Sequence, residues 1–187
     1  MNYNKKIITI KKILELDPCY SESELEELRK KNNLGKKVSV LEILKSKIPT
    51  SDILWLALRS EFIEEKILHE LSIIFATRAL KRERKAGREP HPDSWKAIKM
   101  KKKWLAGKAT DEELRAARSA ARSASWSVAY SASWSAARSA AYSSTYSVAY
   151  SASWSASYSA SNSSAYKKEQ KWQIKQIISL LEKEVMK

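Results

Sequence analysis

From residue 118 to residue 166 a bulky side chain stands at every fourth position, thirteen times without a slip. The slots are Arg118, Arg122, Trp126, Tyr130, Trp134, Arg138, Tyr142, Tyr146, Tyr150, Trp154, Tyr158, Asn162 and Tyr166. Twelve of them are followed directly by Ser, and 33 of the 36 residues between them are Ser or Ala. On a strand, an even period would place all the large groups on one face. On an α-helix each residue turns by about 100°, so the stripe drifts about 40° per repeat and circles the axis in roughly 36 residues.

Three features favour the helix. Ala is the best helix former and a poor strand former. The span 108–187 contains no Gly and no Pro to turn a series of strands. Both flanks, DEELRAA and KKEQKWQIKQIISLLEKE, read as helix. A β-solenoid with four residues per side is the alternative for the tract, with silk-like stacking behind it. The 19 Ser of the repeat each cost about half a kcal/mol relative to Ala, so packing rather than propensity must hold such a helix. One straight helix over 111–187 would run roughly 115 Å at about 1.5 Å per residue, too long for a compact domain of this size. Small Ser and Ala surfaces allow close helix approach. The expected architecture is all-α, with a multi-helix N-terminal part packed around a long central Ser/Ala helix, continuous or broken into segments.

The rest of the chain divides into a short-helix segment (1–50), a core with basic helices (51–107) and the repeat with an amphipathic C-terminal helix (108–187), together one domain. Thr9 caps a first helix that Asp17-Pro18 ends, and Ser21 with Glu24 forms a capping box that opens a second. Asn33-Leu34-Gly35 closes that second helix. Ser39 caps VLEILKSK, which Pro49 stops. Over 51–87 apolar residues recur at three- and four-residue spacing up to Gly87. Asp93 is expected to cap SWKAIKMKKKWLA, Gly107 to end it, and Thr110 with Glu113 to open the next helix.

The net charge is +14, and the window 78–103 holds eleven Lys or Arg against three acids. Its Lys81, Arg82, Arg84, Lys85, Arg88, Lys99, Lys101, Lys102 and Lys103, joined by Arg118, Arg122 and Arg138, are the candidate contacts to a partner or to nucleic acid. Phosphate neutralisation by such cations, with stacking on the interleaved aromatics, would suit a nucleic acid. A solvated helix face in a Lys-rich chain is the simpler explanation of the window. The aromatic stripe (Trp126, Tyr130, Trp134, Tyr142, Tyr146, Tyr150, Trp154, Tyr158, Tyr166) reads first as core and second as a binding or self-association surface.

No cofactor or metal motif accompanies these residues. His69 and His91 are the only histidines, and His69 reads as a satisfied helix-surface residue. Cys19 is the single cysteine, which excludes an intrachain disulfide and fits a reducing compartment. No apolar run is long enough for a signal peptide or a membrane span, so a cytoplasmic location is expected. No nucleophile elbow or Gly-rich phosphate loop occurs.

The segment ILWLALRSEFIEEKILHELSIIFATRAL (53–80), then GREPHPDSWKAIKMKKKWLAGKATDEELRAAR (87–118), then a small-residue tract with Trp, Tyr or Arg at every fourth position resembles an immunity protein family of bacteria and their phages. The resemblance spans roughly residues 40–187, and Ser here takes much of the place Ala holds in that family. It implies a small cytoplasmic, non-enzymatic protein that neutralises a toxin or defence effector by direct contact. It carries no target and no site residue with it.

Overall fold

The computed structural model describes residues 6–126, 152–153 and 163–185. The stripe and contact positions Tyr130, Trp134, Arg138, Tyr142, Tyr146, Tyr150, Trp154 and Tyr158 lie outside the described residues. The described parts of the repeat, at 118–126, 152–153 and 163–166, are helical.

The elements follow one another as β1 (Ile7–Ile8), α1 (Ile10–Leu14), α2 (Glu22–Lys31), β2 (Val38–Ser39), α3 (Val40–Lys45), α4 (Thr50–Ala57), α5 (Glu65–Lys85), α6 (Pro92–Leu105), α7 (Asp111–Trp126) and α8 (Ser163–Val185). The described fold is therefore mostly helical, as the composition requires. The two-stranded ribbon was not expected. Its strands pair antiparallel, Ile7 opposite Ser39 and Ile8 opposite Val38. Two residues per strand are too few to show an alternating pattern.

Helix starts follow local chemistry. Ser21–Glu24 and Ser39–Glu42 form reciprocal capping boxes, and the Thr9 hydroxyl accepts from the Lys12 amide. Thr110 and Glu113 exchange the same pair of bonds ahead of α7. At α6 the boundary falls two residues earlier than Asp93. His91 is the cap, its Nδ1 accepting from the Asp93 amide at 3.3 Å, and Pro92 takes the first helical position. Proline suits that place because its fixed φ is helical and its missing N–H would be unsatisfied there anyway.

Helix ends are equally regular. Asn33, Gly87 and Gly107 each adopt positive φ after α2, α5 and α6. In each case the next amide reaches back five residues, Leu34 to Arg29, Arg88 to Glu83 and Lys108 to Lys103. These are Schellman closures, which favour glycine at the left-handed residue. A Cβ at Gly107 would meet nothing within 4 Å, so only backbone strain opposes it. Gly107→Ala is expected to lower unfolding stability by about 1 kcal/mol, read from a chemical denaturation curve.

Between α4 and α5 the chain turns at 58–64, burying Phe62 and Ile63, both of whose amides bond to the Arg59 carbonyl. Helix α6 then stacks on α5 and α7 on α6, while α8 packs on α3, α4 and α5. The main core joins Ile43, Leu44, Ile53, Leu68, Leu71, Phe75 and Leu80 to Ile174, Ile177 and Leu181 of α8. A smaller cluster of Ala97, Leu114 and Ala121 seals α6 to α7.

Candidate functional site

The basic window does not form a single cationic face. Arg82 and Arg78 both bind the Glu169 carboxylate at 2.7 Å. Arg84 pairs with Glu89 at 2.7 Å and stacks on Trp95, and Arg88 pairs with Glu83 at 2.8 Å. Lys81, Lys85, Lys99, Lys102 and Lys103 are exposed. The start of α5 meets the end of α6 at His69 and Trp104, and its end meets the start of α6 at Arg84 and Trp95, so Lys81 and Lys85 sit at one end of the hairpin and Lys102 and Lys103 at the other. Arg118 and Tyr166 are half-buried on α7 and α8. Arg122 and Trp126 continue the helical backbone of α7.

Lys101 corrects the sequence reading outright. It is fully buried and cannot be a surface contact. Ser94, Ala97, Ile98 and Lys101 are the buried residues of α6, a three-and-four spacing that turns Lys101 into the core. Its Nζ lies 3.9 Å from the centre of the Trp104 ring. Burial pushes the amine down to about 7, against a smaller opposing pull from Asp111. His69 is likewise buried rather than on the surface. Its ring meets Trp104 edge-on at 5.1 Å, and burial, then the Lys101 charge, push it down to about 4. The Trp104 indole N–H donates to Asp111 at 2.7 Å.

A second site was not expected from the sequence. The ribbon, α1, α2, α3 and α4 meet imperfectly and leave a pocket of about 280 Å³. Its floor is aliphatic, with Ile8, Ile13, Leu25, Val38, Ile43 and Leu56. One wall is polar and aromatic. Asp52 and Trp55, one turn apart on α4, stand there with Cys19 and Tyr20 from the turn after α1. The Tyr20 hydroxyl donates to Asp52 Oδ2 at 2.8 Å, and this bond holds the phenol above its ordinary range. Cys19 is exposed at the rim, and Ile7 beside the pocket is 37% exposed. Further polar lining comes from Thr9, Ser51, Arg29 and Lys36. Arg29 is committed to Glu26 through Nε and Nη2 and to the Leu34 carbonyl through Nη1.

The capping boxes and the Asp17-Pro18 turn announce each wall of this pocket separately. The gap itself depends on how five elements fit together. Among the described residues no group of three His, Cys, Asp or Glu is placed to hold a metal, and no helix is long and apolar enough to cross a membrane. No family model, curated protein or solved structure matches this chain.

Proposed function

We propose that this chain is a non-enzymatic helical binding protein of the immunity type. It acts in the cytoplasm and neutralises a toxin or defence effector by direct, stoichiometric contact. The observation that carries the reading is the open apolar pocket beside β1. Protein interfaces draw most of their energy from a few bulky side chains seated in pockets. At about 280 Å³ the pocket lies below the roughly 300–1,000 Å³ of small-molecule clefts and suits one or two apolar side chains. The resemblance of residues 53–80 and 87–118 to an immunity family supports the same reading. Several cations of the basic window are spent on Glu83, Glu89 and Glu169 or buried, which leaves less charge for a nucleic acid.

The test is co-expression with the toxin and defence genes that neighbour this one, followed by size exclusion with light scattering. A complex of defined stoichiometry is the expected result. Alkylating Cys19 with a bulky maleimide plugs the pocket rim without any mutation and should abolish the complex. A complex indifferent to that label removes the pocket as the seat. Salt-dependent gel shifts with no protein complex would favour the nucleic-acid alternative, and a homo-oligomer alone would favour self-assembly.

A further inference from the structure

We infer that the pocket recognises an apolar group carrying a cationic head, such as an aliphatic segment beside a Lys or Arg side chain, with Asp52 as the counter-ion. The inference rests on the reading of the pocket as the binding seat and adds the chemistry of what enters it.

The two ends of the pocket differ electrostatically. At the Gly35 end the Arg29 cation is already answered. Arg29 is bonded to Glu26, and Glu26 is held low by Arg29 first and by Lys30 and Lys36 after it. An anion arriving there competes with a carboxylate in place. At the Tyr20 end the balance is reversed. Asp52 is half-buried, and its two oxygens accept one hydrogen bond each, from the Tyr20 hydroxyl and the Ser51 hydroxyl. A carboxylate oxygen can accept two, so capacity remains on both. Both bonds come from neutral donors, so no cation answers the charge through them. The Tyr20 phenol also feels Glu24 as a second carboxylate. The Tyr20–Asp52 corner therefore offers a carboxylate with open acceptor sites, although the chain as a whole carries +14.

One face of the Trp55 ring is taken by the Arg59 guanidinium, 4.1 Å from its centre, so the preference for a cation rests on Asp52 with the Tyr20 ring beside it. Rings beside a carboxylate form the setting in which ammonium and guanidinium groups are held by cation–π attraction and ion pairing together. The aliphatic floor takes the hydrocarbon that carries the head.

The chain's single cysteine, exposed at the rim, gives a direct readout. The rate of Cys19 alkylation by a small thiol reagent is measured under titration with n-hexylammonium, hexanoate and hexanol. Hexylammonium is expected to protect at about tenfold lower concentration than hexanoate. Asp52→Asn keeps an acceptor for Tyr20, and it should erase that difference while leaving protection by hexanol in place. Tyr20→Phe keeps the carboxylate and should keep the preference. Equal or better protection by hexanoate would move the polar anchor to Lys36 and overturn the inference. Absence of protection by all three probes overturns it too. So does protection that appears only after residues 1–5 are removed, which would make the chain's own N-terminus the occupant. An effector complex that tolerates Asp52→Asn at full affinity sinks the charge assignment and spares the binding function. Loss of every effector complex, with hexylammonium preference intact, does the reverse.

Discussion

Replacing Lys101 by methionine is expected to stabilise the protein by about 2–4 kcal/mol at pH 6. The lysine is fully buried among α5, α6 and α7. Asp111 of α7 and His69 of α5 are electrostatically linked to it, Glu65 acts in turn on His69, and the Trp104 ring of its own helix lies against the amine. Asp111 and the ring favour the charged form, but burial outweighs them and brings the amine from 10.5 to about 7. That drop is worth about 4–5 kcal/mol between the two protonation states. The sign follows from which state holds the proton. Between about pH 7 and pH 10.5 the unfolded chain keeps the proton and the folded chain has released it, so stability rises with pH across this window. Below pH 7 both states are charged and the full burial cost stands. Methionine has similar length and no charge, so it removes both the cost and the slope. Urea denaturation at pH 6, 8 and 10 should show a steep rise for the parent and a nearly flat line for the variant. A variant less stable than the parent at pH 6 would mean that the contacts of the ammonium exceed its burial cost.

His69 produces a second and separable pH effect. Its folded value of about 4 lies below the ordinary 6.5, so stability falls as pH drops from about 6.5 to 4, by roughly 3 kcal/mol in all. That step should persist in Lys101→Met, since its first cause is burial of the ring rather than the lysine. The two titrations make the α5–α6–α7 stack the acid-sensitive part of the fold, and α7 is the helix that leads into the repeat.

The residues that misled the sequence reading are the ones whose register decides against their type. Lys101 stands three residues after Ile98 and four after Ala97, the spacing of the buried stripe of α6, and this was visible in principle. Its place among Lys99, Lys102 and Lys103 made it look like part of a solvated run. His69 was harder, because α5 packs α6 on one side and α8 on another and is buried over much of its circumference. No one-sided periodicity marks such a helix. Starts and stops were legible because their causes are local. A Ser or Thr with Glu three residues on makes a capping box wherever it falls, and a left-handed Gly or Asn ends a helix by its own backbone. The pocket had no local cause. The helical segments around it were expected as helices and the two ribbon strands were not, and only their assembly leaves the space.

Glu169→Ala is expected to cost about 3–5 kcal/mol, more than any exposed ion pair of the fold. The side chain is 1% exposed, and its Oε2 receives both Arg78 Nε and Arg82 Nη1 at 2.7 Å. Its other oxygen, Oε1, has no hydrogen-bond partner among the described residues. The carboxylate is thus desolvated and depends on these two cations, and they on it, for burial pushes the Arg82 guanidinium down while Glu169 opposes the shift. Arg78 has a second hold, its guanidinium lying 4.0 Å from the centre of the Trp172 ring. Arg78→Ala should therefore lose packing on Trp172 as well as the ion pair, and the double variant should cost less than the sum of the two single changes by about 1–3 kcal/mol. The bridge joins α5 to α8 across some ninety residues of chain. Other polar ties of α8 include the Thr50 hydroxyl donating to Gln170, the Ser153–Gln173 pair and an exposed Lys45–Glu182 contact worth little. Hydrogen exchange localises the effect. Amides of α8 should lose protection in Glu169→Ala before those of α6. Uniform loss across both helices would show that α8 is held by Ile174, Ile177 and Leu181 alone and that the carboxylate acts only through global stability.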